Sequence, residues 1–140
     1  MIHQVLFFDS GSGICFYSRD YTGVEIPEHL FSGIIKTIRD LTYEISKKDL
    51  KSIEIGDWLL HYVNRNQATV VLISDYNDDK KIIQGKINLV ADKFIEKYQD
   101  HLDNFNGEIG IFESFKEDCD EVFFADWNFE FNQRVKRKSE

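Results

Sequence analysis

The sequence predicts an α/β (α+β) fold, in which a mostly antiparallel sheet of five strands lies between helices on both of its faces. Three observations predict this fold. The apolar segments follow one another in the order strand, strand, long helix, three strands and a second long helix. Two of the strands are wholly apolar, as strands are when helices cover both faces of a sheet. Between the strands, apolar residues recur at helical spacing, which predicts amphipathic helices.

The composition is typical of one folded domain. The 140 residues are 42% hydrophobic and 30% charged, a balance that predicts a soluble globular protein. The net charge of −8 argues against nucleic acid as a partner, because neutralising phosphates requires an excess of Lys and Arg. No stretch reaches the ~20 apolar residues of a membrane span, and the N-terminus lacks the basic segment of a signal peptide. Cys15 and Cys119 lack metal-ligand spacing, so we expect reduced thiols in a cytoplasmic protein.

The first two strands are predicted to form a hairpin. Val5 to Phe8 is a continuous apolar run, Asp9 to Gly13 is a turn cluster, and Ile14 to Ser18 makes the returning strand. A first helix is predicted from about Pro27 to Lys47, because proline suits the first helical turn and lysine the last. Its apolar stripe consists of Leu30, Phe31, Ile34, Ile35, Ile38, Leu41 and Ile45.

Three further strands and two helices follow. Lys51 to Ile55 alternates as a half-buried strand does, Gly56 and Asp57 signal a tight turn, and Trp58 to Val63 pairs back. Thr69 to Ile73 is again wholly apolar. The polar segment after it is predicted to cap a second helix, whose stripe is Ile82, Ile83, Ile87, Val90, Phe94, Ile95 and Tyr98. A short third helix is predicted from Ile111, Phe112, Phe115, Cys119, Val122 and Phe123.

The predicted strand order in the sheet is 2-1-5-4-3. The two wholly apolar strands, the first and the fifth, belong side by side in the middle of the sheet. The hairpin then places the second strand at one edge, and the meander of strands three to five places the third at the other. Ser52 and Glu54 suit that edge. The first helix is expected on one face of the sheet, and the second and third helices on the other.

This ββαβββα order, over about residues 2 to 123, resembles the longin domain. The stretches that also resemble archaeal members of the wider longin and roadblock group are Val5 to Asp9 with Gly11 or Gly13, Leu50 to Asp57, and Val71 to Asp75. Roadblock proteins usually carry a helix before the first strand, and none fits ahead of Ile2, which favours longin. The resemblance implies a longin/profilin-like fold, binding to small GTPases, pairing with similar domains and a role in vesicle trafficking.

The predicted domain spans residues 1–123, and residues 124–140 form an aromatic and then basic extension. Trp127, Phe129 and Phe131 are candidates for protein contact, either by folding back on their own domain or by docking on a partner or second copy. The basic residues are either a solvated tail or weak contacts with an anionic, peripheral membrane surface. These membrane-contact candidates are Arg134, Lys136, Arg137 and Lys138.

No catalytic, metal or cofactor site is predicted. Asp75, Asn77 and Asp79 have the spacing of a calcium loop, but Lys80 and Lys86 stand where glycine and glutamate are required. A polar turn that caps a helix is the simpler interpretation. The glycine-rich turn between the first two strands lacks the spacing of a phosphate-binding loop and precedes a strand rather than a helix.

The sequence therefore predicts a non-catalytic interaction domain and not an enzyme. The resemblance implies as partner a small GTPase or a related longin/roadblock subunit, in a homo- or heterodimer that we expect to form through an edge strand and one helix. Ile14 and Phe16 on the second strand are the candidates. Alternatives are a self-associating subunit without a GTPase, or a GAP or GEF component. An arginine finger for the last role could come from Arg19, Arg39 or Arg65, none of which lies in a recognisable motif.

Two helical glycines have no assigned role in the sequence. Gly33 and Gly85 lie inside the first and second predicted helices, where each costs on the order of 1 kcal/mol relative to alanine. Such a cost suggests that another backbone approaches closely. The neighbour is either the chain's own sheet or an element of a partner.

Overall fold

The computed structural model describes residues 1–23, 30–37, 40, 52–65 and 67–124. Its five strands are β1 (Ile2–Asp9), β2 (Cys15–Asp20), β3 (Ser52–Ile55), β4 (Trp58–Arg65) and β5 (Ala68–Asp75). Residues 30–37 are helical and are called α1, and α2 is Lys80–Asp103. A 3₁₀ helix at Gly110–Phe115 leads directly into α3, residues 116–124.

The strand order in the sheet is β2-β1-β5-β4-β3, as predicted. The two apolar strands β1 and β5 lie side by side in the centre, with Leu6 opposite Val71 and Phe7 opposite Val70. Every pair of neighbours is antiparallel. This arrangement leaves the polar alternation of β3 at one edge and β2 at the other.

A separate apolar core lies on each face of the sheet. On one face, Phe94 of α2 stacks on Phe7 of β1 at 4.6 Å between ring centroids, and Phe115 contacts both rings at 5.2–5.4 Å. On the other face, Phe31 and Ile35 of α1 are buried. The strand residues beneath α1 are Leu6, Phe8, Leu60, Tyr62, Val71 and Ile73. Helices therefore cover both faces of the sheet, as the sequence predicted.

The predicted helical stripes are wider than the buried ones. Leu30, Ile34 and Ile82 belong to the predicted stripes, yet their side chains are exposed. A helix packed on one sheet buries only a stripe somewhat more than 100° wide, and the rest of its circumference needs a second layer to be covered. Ile38, Leu41, Ile45 and Lys51 lie outside the described residues.

Candidate interaction surfaces

The structure divides the two contact candidates of β2. Ile14, in the turn before β2, is 45% exposed and stays a candidate. Phe16 is only 2% exposed, and its ring lies 4.8 Å from that of Phe105 and 5.0 Å from that of Phe112. The prediction that Phe16 offers contact surface is therefore corrected: its side chain belongs to the core of its own domain.

An irregularity in the β1–β2 pairing explains this burial. Phe7 pairs with Tyr17 and Phe8 pairs with Cys15, so Phe16 is an extra residue on β2. Such a bulge breaks the alternation of faces. Both Phe16 and Tyr17 consequently pack into the core beneath α2. A strictly alternating strand would have directed them to opposite faces.

The candidates in the C-terminal extension lie outside the described residues. They are Trp127, Phe129, Phe131, Arg134, Lys136, Arg137 and Lys138. Helix α3 includes Phe124, the first residue of the predicted extension. The Phe124 ring is half-buried and meets the ring of Tyr21 edge-on at 4.7 Å. The C-terminal end of α3 therefore lies beside the end of β2.

One side of α1 presents exposed aliphatic groups, and we call Leu30, Gly33 and Ile34 the α1 flank. Leu30 is 53% exposed and Ile34 51%. The opposite side of α1 rests against the β1–β2 turn, where the Lys36 ammonium donates to the carbonyl oxygen of Gly11 at 2.9 Å.

Strand β3 forms one edge of the sheet. Ser52 and Glu54 are exposed, whereas Ile53 is partly buried against the core beneath α1. Polar side chains of this kind are typical of an edge strand that does not aggregate. Within the described part of the chain, strand β3 therefore presents an unpaired backbone edge to which a strand of another chain can bind.

A second exposed aliphatic patch lies on α2, and we call Ile82, Gly85 and Leu89 the α2 outer face. These positions follow the i, i+3, i+7 spacing of one helix side. Ile82 is 57% exposed and Leu89 49%. They are directed away from the sheet, because the buried side of α2 is formed by Ile83, Ile87, Val90, Ala91, Phe94, Tyr98 and Leu102.

Packing on the chain's own sheet does not explain the two helical glycines. Both are exposed, and a Cβ at Gly33 or Gly85 would meet no described atom within 4 Å. Each glycine is flanked by exposed aliphatic side chains. The sequence drew attention to the two glycines but did not show that each lies with aliphatic neighbours on a solvent-facing side of its helix.

The polar turn after β5 is a helix cap, as predicted. The Asp79 carboxylate accepts hydrogen bonds from the backbone N–H groups of Lys81 at 2.9 Å and Ile82 at 3.3 Å. The Asp75 carboxylate instead forms a hydrogen bond with His3, with Oδ1 2.6 Å from Nε2. That hydrogen bond holds the pKa of Asp75 below its ordinary value. The two carboxylates thus have separate structural roles.

The two described arginines are held by acidic or amide side chains. Arg19 donates through Nε and Nη2 to Asp120, each at 3.2 Å, and Asp120 thereby raises the pKa of Arg19. Arg65 donates to Asp92 at 2.9 Å and to Asn88 at 2.6 Å. Either arginine would have to leave these partners to act on a bound GTPase. Arg39 lies outside the described residues.

His61 is a fully buried histidine beneath α2. Its Nε2 lies 3.0 Å from Oγ of Ser74, and its Nδ1 lies 3.3 Å from the side-chain nitrogen of Gln84. Burial lowers the pKa of His61, so the neutral ring is favoured. In that form Nδ1 can accept from the Gln84 amide while Nε2–H donates to Ser74. This arrangement joins β4, β5 and α2 and leaves no ring nitrogen for external chemistry.

Other site chemistry is absent from the described part of the chain. Among residues 1–23, 30–37, 40, 52–65 and 67–124, no three His, Cys, Asp or Glu side chains are grouped so as to hold a metal ion. Over the same ranges, no helix combines the length and apolar character needed to cross a membrane. Cys15 and Cys119, both described, are not joined by a disulfide.

Comparison with known proteins identifies the fold. No protein-family model matches the chain, and no curated protein matches it in sequence. Among solved structures, a Roadblock/LC7 domain from Streptomyces avermitilis is similar, with a TM-score of 0.54 and 12% identity, over 70% of this chain and 85% of that one. MglB from Myxococcus xanthus is similar with a TM-score of 0.57 and 16% identity, over 71% and 85%. The chain therefore has a longin/roadblock-like fold.

Proposed function

We propose that this chain is a non-catalytic interaction domain that binds a small GTPase, another longin/roadblock-type subunit, or both. The observation that carries the proposal is the exposed aliphatic surface of the α1 flank. Exposed aliphatic side chains grouped on one surface are typical of contact sites. Gly33 removes the side chain that would otherwise hold a partner's backbone away from Leu30 and Ile34.

The β3 edge offers a second kind of contact, through main-chain hydrogen bonds. An edge strand can extend its sheet by main-chain hydrogen bonding to a strand of another chain. The exposed side chains of Ser52 and Glu54 on β3 are polar, so the apolar part of the contact comes from the α1 flank. A related domain with its own edge strand and helix can make both kinds of contact. We therefore expect pairing at the β3 edge, whereas the sequence alone favoured the β2 edge.

The proposal of a GTPase as partner rests on the resemblance of the sequence to the longin and roadblock group. The fold cannot supply it, because a fold does not define a function. Binding or tethering is favoured over a GAP role because Arg19 and Arg65 are engaged within the domain. A GEF or GAP component remains the alternative proposal. A GAP that used Arg19 or Arg65 as its finger would require that the partner displace the ion pair of that arginine.

The test begins with capture of partners by the immobilised full chain from an extract of its source cells. Any small GTPase or longin/roadblock subunit that is recovered is purified, and its dissociation constant is measured by calorimetry. A GTPase is measured with GDP and with a non-hydrolysable GTP analogue. We expect Ile34→Glu to weaken binding at least about ten-fold, because it charges an apolar contact. Ile109→Glu is the matched control, since Ile109 is also exposed and lies outside the α1 flank.

Two results would contradict the proposed function. One is the recovery of neither protein class. The other is a partner whose affinity is the same for the wild-type chain and for Ile34→Glu. A chain that only associates with itself would favour the alternative of a structural subunit without a GTPase.

A further inference from the structure

We propose that the α2 outer face pairs two copies of this chain through an antiparallel helix crossing centred on Gly85. This surface is separate from the α1 flank, because α1 and α2 lie on opposite faces of the sheet. A dimer formed through α2 therefore leaves the proposed partner surface accessible. The inference goes beyond the proposed function and is independent of it.

The aliphatic residues are placed almost symmetrically about the glycine. Ile82 precedes Gly85 by three residues, and Leu89 follows it by four. In an antiparallel pair, a two-fold axis beside Gly85 sets Ile82 of each copy opposite Leu89 of the other. An isologous interface requires such self-complementarity. One helix side thus supplies both halves of the contact.

Gly85 permits the close approach that this crossing needs. A Cβ at this position would meet no described atom within 4 Å, so the chain's own fold does not require a glycine there. Alanine would be more favourable in the helix by up to about 1 kcal/mol. Close contact between the two α2 backbones gives the glycine a role that the monomer lacks.

The charges beside the patch are complementary between two copies in an antiparallel pair. At 3.6 residues per turn, Lys81 and Asp92 lie on one side of the stripe, and Asp79 and Lys93 lie on the other. In an antiparallel pair, the side that carries Lys81 and Asp92 faces the same side of the second copy, so Lys81 meets Asp92 and, on the other side, Lys93 meets Asp79.

The lysine nearest the two-fold axis does not oppose this pairing. Lys86 is drawn toward α3, where its ammonium donates to the carbonyl oxygen of Phe123 at 3.1 Å. Asp92 keeps 64% of its side chain exposed while it accepts from Arg65, so it can also meet an incoming lysine. The charge arrangement is therefore complementary along both sides of the patch.

The first test is the concentration dependence of the mass of the full chain. One helix face makes a small interface, of a size class that gives weak association, so sedimentation equilibrium is measured from about 5 to about 500 μM. We expect the wild-type chain to pass from monomer to dimer over this range. Gly85→Leu should raise the dissociation constant at least about ten-fold, because its side chain occupies the crossing point.

The matched control is Gly110→Leu, which changes an exposed glycine that lies outside both surfaces and likewise has no described atom near its Cβ position. It should leave the dissociation constant unchanged. The proposal is wrong if the wild-type chain stays monomeric, or if Gly85→Leu dimerises as well as wild type. If Gly33→Leu or Ile34→Glu abolishes the dimer while Gly85→Leu does not, self-association belongs to the α1 flank instead.

The second test fixes the orientation. Single variants Ile82→Cys and Leu89→Cys are mixed in equal amounts and oxidised, with the wild-type chain as the control for Cys15 and Cys119. Random pairing would give the mixed disulfide in twice the yield of either homodimer, and antiparallel crossing predicts a yield of the mixed disulfide above that ratio. A ratio at or below two to one, or a dominant Ile82→Cys homodimer, would overturn the antiparallel arrangement.

Discussion

His61 shows at the residue scale how burial sets the protonation of a side chain. The ring is fully buried between Ser74 and Gln84, and burial lowers its pKa below the ordinary value of 6.5. The unfolded chain therefore takes up a proton at a pH at which the folded chain does not. Stability from this group is complete above about pH 6.5 and is lost as the pH falls toward the lowered pKa.

We expect the free energy of unfolding to decrease as the pH falls from about 7.5 to about 5, with His61 responsible for part of the slope. The measurement is urea unfolding at several pH values. His61→Gln should flatten the dependence, because it removes the group that resists protonation. His101→Gln, at an exposed histidine, is the control and should keep the wild-type slope. Equal slopes for His61→Gln and wild type would contradict the prediction.

At the scale of elements, α2 begins where its sequence specifies. Asp79 supplies the acceptor for two backbone N–H groups that have no partner within the helix. This role is local, so it can be read from a polar cluster before a periodic apolar segment. The same helix then carries His61's partner Gln84 and the α2 outer face, so its start fixes the position of both.

Replacing Asp79 by alanine should lower the free energy of unfolding by about 1 kcal/mol, the usual cost of losing an N-cap acceptor. Thermal and urea unfolding measure the change. Asp79→Ser keeps an acceptor at this position and should recover most of the loss. If alanine and serine are equally destabilising, the cap does not contribute as described.

At the scale of the whole molecule, one sheet separates two cores, and β1 and β5 contribute to both. The core beneath α2 is the more aromatic. Phe94 lies at its centre, with ring centroids of Phe7, Tyr98, Phe112 and Phe115 within 5.5 Å. Because α2, the 3₁₀ helix and the sheet all meet at this ring, it carries much of the contact between layers.

Phe94→Ala should therefore cost about 3–5 kcal/mol, a large part of the roughly 5–15 kcal/mol that stabilises a domain. Calorimetric unfolding measures the loss, and Phe94→Leu, which leaves a smaller cavity, should cost less. Tyr76→Ala, at a half-exposed aromatic, is the control and should stay within about 0.5 kcal/mol of wild type. A small effect at Phe94 would contradict the central role of this ring.

The sequence by itself determined the strand order, the capping of α2 by the polar segment after β5 and the assignment of helices to opposite faces. It could do so because β1 and β5 are apolar at successive positions, and only central strands covered on both faces bury such segments. Capping is equally local, since the acceptor and the N–H groups it binds lie within three residues. Patterns of this kind need no knowledge of distant contacts.

Only the tertiary structure decided which apolar residues remain exposed. Helical spacing places Leu30, Ile34 and Ile82 on apolar stripes, but exposure depends on whether another layer covers that part of the helix. Likewise, the bulge that buries Phe16 depends on how β2 pairs with β1. The ion pair of Arg19 with Asp120 joins residues 101 positions apart. Each of these outcomes is set by contacts between distant segments, which a periodic pattern does not record.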